Sequence, residues 1–247
     1  PGLTSLGGNV TTNESQTYND AVTLGANATL TSTGGGNITF GGVVNGGSSL
    51  TINTAGTVTF GGAVGNSPPL ASLAVAATNV NGGAVTAGSI KQTSGAGTTT
   101  FTGPVHATGA GGIDLTGNAF SLASLQSDAG LIAIRNTGAS TVSGAISGPM
   151  ALVKNDTGTL TLQGANTYTG LTIVNGGTLR VTGSVASSPQ VQVNSEQNFS
   201  DSEGRQRIKL RSLGYERTLT LIDGLRMGLA KIQSRNPEIP VALDGRQ

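Results

Sequence analysis

Ten residues recur twenty positions apart, as NITFGGVVNG at 37–46 and TVTFGGAVGN at 57–66. Thr39 matches Thr59, Phe40 matches Phe60, Gly41-Gly42 matches Gly61-Gly62, and Val44 matches Val64. A unit this short cannot bury its own apolar face, so it folds by stacking on further copies of itself. A looser copy, TTTFTGPVHA at 98–107, puts Phe101 41 residues after Phe60, two circuits further along. The rest of the composition agrees. Gly accounts for 40 of 247 residues, Trp is absent, aromatics make up 3% and charged residues 10%, against about 25% charged in an average globular chain. A conventional core of large side chains is excluded, whereas stacked short strands that each bury a few aliphatics are not.

Short runs of period-two alternation fill the first 190 residues: 28–32 (ATLTS), 37–40, 49–53 (SLTIN), 57–60, 112–116 (GIDLT), 131–136 (LIAIRN), 158–163 (GTLTLQ) and 177–182 (GTLRVT). Each predicts a strand with one buried and one wet face. Gly, Asn or Ser bounds every run. Val-Asn-Gly-Gly occurs at 44–47, 80–83 and 174–177, and Asn-Gly supplies the positive φ of a tight corner. A β-sandwich also has short strands and many turns, but it uses large aromatics and does not copy a twenty-residue register. The expected fold is therefore all-β, a right-handed parallel β-helix of about nine turns over residues 1–190. At the usual strand spacing it forms a rod roughly 45 Å long.

The segment 152–181, LVKNDTGTLTLQGANTYTGLTIVNGGTLRV, resembles the autotransporter-associated β-strand repeat. The elements that carry the likeness are a Gly158-Thr159-Leu160 strand, the run Gly164, Ala165, Asn166, Thr167, Tyr168, Thr169, Gly170, and a second strand at Gly177-Thr178-Leu179. The region upstream, including QTYNDAVTL at 16–24, is similar to repeats of filamentous-haemagglutinin-like exoproteins and other large bacterial adhesins. The two resemblances span most of residues 1–185. They imply a passenger-type β-helix outside a Gram-negative cell or on its outer-membrane surface. Its implied partners are host or surface carbohydrate and protein, together with the outer membrane or its secretion machinery. The chain opens at Pro1 in the middle of repeat-like sequence, which reads as a fragment whose targeting region lies upstream.

After residue 190 the composition changes. The last 57 residues hold 16 of the 25 charged side chains and 5 of the 40 glycines, so residues 191–247 are expected to form a separate, small α+β segment. Strands are expected at 208–211 and 218–223, followed by a helix carrying Leu225, Leu229 and Ile232 on one face. Residues 204–227 resemble the plug domain of TonB-dependent receptors through Leu210, Arg211, Leu213, Gly214, Arg217, Thr218, Leu219, Leu221, Asp223, Gly224 and Arg226, with Ser212 where that family usually has Gly. That resemblance implies an alternative in which the repeats extend an outer-membrane receptor.

Little in the chain points to chemistry. A triad needs a base beside its nucleophile, and His106, the single histidine, is expected in a solvent-facing turn. Glycoside hydrolysis needs paired carboxylates. Neither Asp114 with Asp128, fourteen apart, nor Glu14 with Asp20, six apart, occupies equivalent places on neighbouring circuits. Gly111-Gly112-Ile113-Asp114 is one isolated near match to a calcium-binding nonapeptide, and no Gly-Lys-Ser/Thr follows any glycine run. Thr-x-Thr pairs such as Thr29/Thr31, Thr57/Thr59 and Thr159/Thr161 suit exposed strand positions, and that account is preferred to an ice-binding row. Arg205, Arg207, Lys209 and Arg211 share one strand face with Glu203 and Glu216 nearby, which favours a solvated face over a nucleic-acid site; the net charge of +1 agrees. With no Cys there are no disulfides and no thiolate metal sites. The expectation is a non-enzymatic structural or adhesive chain without a cofactor, whose uncapped ends associate end to end.

Overall fold

The structure is a computed structural model that describes residues 2–194 and the two strands Leu219–Asp223 and Arg226–Ala230. The chain divides into two compact units, Pro1–Lys209 and Leu210–Gln247. Every strand pairing within the first is parallel, and the coil makes about ten turns. Among the described residues there is no helix.

Each turn of the coil contributes to three faces. The first carries the inward column Val22, Val44, Val64, Val85, Val105, Leu125 and Ile146. The second carries Leu30, Ile52, Val75, Gln92, Leu115, Ile134, Lys154, Val174 and Val193. The third carries Tyr18, Phe40, Phe60, Gly82, Phe101, Leu122, Val142, Leu162 and Val181. Period-two alternation turns every second residue inward, and in-register parallel pairing places each inward residue on its counterpart one circuit away. The repeated phenylalanines are therefore neighbours. The rings of Phe40 and Phe60 stack with centroids 5.3 Å apart and planes 12° apart, and Tyr18 continues the stack at 5.2 Å from Phe40. Burial of its ring pushes the Tyr18 hydroxyl pKa above its usual 10.

Phe101 does lie two circuits beyond Phe60, and the intervening position explains the glycine there. Gly82 falls at inward parity between the two rings, and a Cβ on it would sit 3.0 Å from Phe101 Cε1. The Val-Asn-Gly-Gly at 80–83 is thus not the corner expected of it: Asn79–Gly82 is a strand. Only the other two copies turn the chain with positive φ, at Gly46 (124°) and Gly177 (66°). The three copies are out of phase with the twenty-residue circuit, so the same four letters land at different places on it. His106 also departs from expectation, lying on the long strand Thr98–Gly117 and not in a turn. Pro104 shifts the register between Phe101 and itself without ending the pairing, so Val105 and Ala107 go inward and His106 faces out.

The corners are built from glycine because the coils approach there more closely than a side chain allows. A Cβ on Gly56 would lie 2.5 Å from the Gly35 carbonyl, and one on Gly183 would lie 2.1 Å from that of Gly164. Asn side chains bridge other corners, with Asn37 Oδ1 accepting from Thr57 N at 2.9 Å and Asn79 Oδ1 from Thr98 N at 2.9 Å. The outward column of the third face runs through Thr17, Thr39, Thr59, Asn81, Thr100, Ser121 and Thr141, seven circuits of uncharged polar side chains.

The coil runs past residue 190: Val191–Val193 pairs in parallel with Thr172–Val174. In the second unit Leu219–Asp223 pairs antiparallel with Arg226–Ala230, Asp223 opposite Arg226. The helix expected over Leu225 to Ile232 is therefore a strand where it is described. Gly228 interrupts the helical pattern, and the apolar spacing alone did not distinguish a helix from one strand of a short hairpin. Arg211, Leu213, Gly214, Arg217 and Gly224, with the strand expected at 208–211, lie outside the described residues.

Candidate functional site

The segment 152–181 passes twice along the second and third faces of the coil. Leu152–Asn155 pairs with Thr172–Val174 on the second face, and Thr159–Leu162 pairs with Thr178–Val181 on the third. The two Gly-Thr-Leu strands are thus one above the other, with Leu160 on Leu179. Their leading glycines meet at one corner: Gly158 N donates to Asn136 O at 2.8 Å, and a Cβ on Gly177 would lie 2.3 Å from Gly158 O. Gly164 sits under the Gly144 carbonyl, 2.2 Å from where its Cβ would be, and Gly170 similarly faces Ala151 N at 2.4 Å.

The irregular run between the strands has its own interior anchors. Asn166 is buried and bonds to three circuits. Its Oδ1 accepts from Ile146 N at 2.8 Å, and its Nδ2 donates to Gly164 O at 3.0 Å and to Ser184 O at 2.8 Å. Tyr168, also buried, starts a line of hydroxyls: its OH contacts Thr172 Oγ1 at 2.5 Å, Thr172 donates to Ser188 Oγ at 3.0 Å, and Ser188 donates to Gly170 O at 3.0 Å. These polar groups are satisfied, so they hold the loop against the core at little desolvation cost. Asn166→Ala leaves Ile146 N and Ser184 O without their side-chain partner in a dry interior. It should destabilise the chain by about 1–3 kcal/mol in denaturant unfolding.

Inward parity also reveals residues that the sequence reading gave no role. Lys154 occupies the aliphatic column of the second face and is completely buried. Gln92 occupies the same column nearer the N-terminus, accepting from Thr99 Oγ1 at 2.8 Å and donating to Ser94 O. Asn136, fully buried, donates to Gly138 O and Thr159 O. The alternation Leu152 in, Val153 out, Lys154 in was the signal available for the lysine.

The ionisable groups considered for chemistry lie apart on two faces. His106 Nε2 is 2.9 Å from Asp128 Oδ2, and Gln126 Nε2 donates to Asp128 Oδ1 at 3.0 Å. The hydrogen bond from Gln126, then that from His106, holds the Asp128 carboxyl below its usual range. This pairing stabilises the fold above the ordinary carboxylate pKa and is lost as pH falls through the lowered one. In an NMR titration, Gln126→Ala should move the Asp128 midpoint upward. Asp114 pairs with Arg135 one circuit away on the second face. A depression of about 490 Å³, open to solvent, runs along the corner between the second and third faces, lined by Thr93, Gly95, Thr116, Asn118, Thr137 and Asp156 among others.

Residues 152–181 match the passenger-associated-transport-repeat family. No curated protein and no solved structure matches the chain. The family comparison gives no support to the receptor-plug resemblance of residues 204–227. The match covers the strands that pass twice along the second and third faces, so a segment similar to the passenger-associated-transport repeat is wound into this parallel β-helix.

Proposed function

We propose that the chain is part of the passenger of a Gram-negative autotransporter. It serves as a non-catalytic stalk outside the cell and makes weak, distributed adhesive contacts to carbohydrate or protein along its faces. The observation that carries this reading is the transport repeat at 152–181, built in register into the same coil that contains the upstream repeats. Two features of the surface support the adhesive part. The outward column of the third face offers hydroxyl and amide groups at strand spacing over seven circuits, and the ionisable pairs His106–Asp128 and Asp114–Arg135 sit singly on other faces. Such a surface binds through many small contacts, where multivalent display supplies the affinity that one contact lacks.

Antibody against residues 1–190 should label intact cells expressing the natural protein, and protease added outside should remove the label. Labelling only after permeabilisation would contradict the placement. Purified chain presented on beads should be retained by host-cell glycans or matrix protein more strongly than the monomer in solution. Equal, negligible retention of both would contradict adhesion.

A further inference from the structure

Lys154 sits where the ladder otherwise carries an aliphatic side chain, between Ile134 on one circuit and Val174 on the next. Its Nζ donates to the carbonyls of Asn155 and Asp156 on its own circuit and of Gly176 on the following one. Asp156 there holds φ at 61°, a left-handed turn conformation that Asp adopts more readily than most non-glycine residues. The ammonium thus ties together the two corner turns of the transport repeat. Three neutral carbonyls replace the water around a cation only in part, so the charged form is costly in this position. Asp156 supplies a countercharge. Of the other ionisable groups on the packed strands, Arg135 is engaged with Asp114 at the surface, Arg180 is exposed, and the buried Tyr168 bonds to Thr172.

We infer that Lys154 is a proton-operated strut of the transport repeat: losing its proton tightens the circuits built from residues 152–181, and taking one up loosens them. Burial outweighs the attraction of Asp156 and brings the amine from its ordinary 10.5 down to about 8. Between those values the unfolded chain holds a proton that the folded chain has released, so stability climbs as pH rises from about 8 toward 10.5. Below 8 both states are protonated and the contribution is flat. The neutral amine still has two N–H donors for the three carbonyls, so the turns stay tied.

The test is denaturant unfolding of the whole chain at pH 7 and pH 9.5, below the range in which Tyr18 titrates. The folding equilibrium constant should rise roughly tenfold to thirtyfold in the wild type and stay unchanged in Lys154→Met. Hydrogen-exchange protection over 152–181, taken relative to the base-catalysed intrinsic rate at each pH, should rise in the wild type over the same interval. A flat wild-type response, or an equal rise in the variant, would overturn the inference. Should Lys154→Met fail to fold, NMR titration of the Lys154 Cε resonance in the wild type decides: a midpoint near 8 supports the strut, and one at the ordinary lysine value removes it.

Discussion

Phe40→Ala is expected to destabilise the coil by about 3–5 kcal/mol, at the upper end of what single core truncations cost. Phe40 is fully buried and has an aromatic ring on either side, Tyr18 at 5.2 Å and Phe60 at 5.3 Å. The circuits above and below are held at strand spacing by parallel ladders, so they cannot close on the space left behind. The cost therefore combines lost burial with a lasting cavity. Thr39→Ala, one residue away on the outward column, should change stability by less than about 0.5 kcal/mol. Urea unfolding of both variants checks the contrast, and similar losses for the two would mean that inward and outward parity have been misassigned.

Gly158→Val should have an effect of comparable size, more than about 3 kcal/mol, by the opposite mechanism. A Cβ at that corner would lie 2.2 Å from Gly138 O and 2.6 Å from Asn136 O. Relief requires adjacent circuits to part, which breaks the bonds Gly158 N to Asn136 O (2.8 Å) and Thr178 N to Gly158 O (3.0 Å). Damage should therefore spread in both directions along the axis. Hydrogen exchange should show protection lost on the strands Ile132–Asn136 and Thr178–Val181, with the region around Phe40 spared. Gly47 is a control, since nothing lies within 4 Å of its added Cβ, and Gly47→Ala should be nearly neutral.

Phe40 and Gly158 also mark what could be read from sequence. The twenty-residue copy fixed the circuit length, and period-two alternation fixed which residues turn inward, so the stacking of Phe40 on Phe60 followed directly. Lys154 and Gln92 were equally accessible through parity, but lysine and glutamine are ordinarily assigned to the surface. Only the three-dimensional closure of the corner shows carbonyls positioned to receive them. Gly82 was misread because Asn-Gly-Gly is a good corner signal in isolation, and its place opposite two phenylalanines depends on counting circuits from a distant copy. The hairpin of Leu219–Asp223 and Arg226–Ala230 lay beyond the repeat, where apolar spacing alone had to decide between helix and strand.

Parallel circuits in register underlie every contact along the coil, and an engineered cysteine pair reports on them most directly. The chain has no native cysteine, so Thr39→Cys with Thr59→Cys gives an unambiguous product. These positions are adjacent in register on neighbouring circuits, within the Cα separation of about 4.4–6.8 Å that a disulfide spans. Mild oxidation of the folded double variant should close an intramolecular disulfide in most molecules, while Thr39→Cys with Thr141→Cys, five circuits apart, should stay reduced. Failure of the first pair to close in a folded chain, or equal closure of the second, would contradict the stacked-coil arrangement.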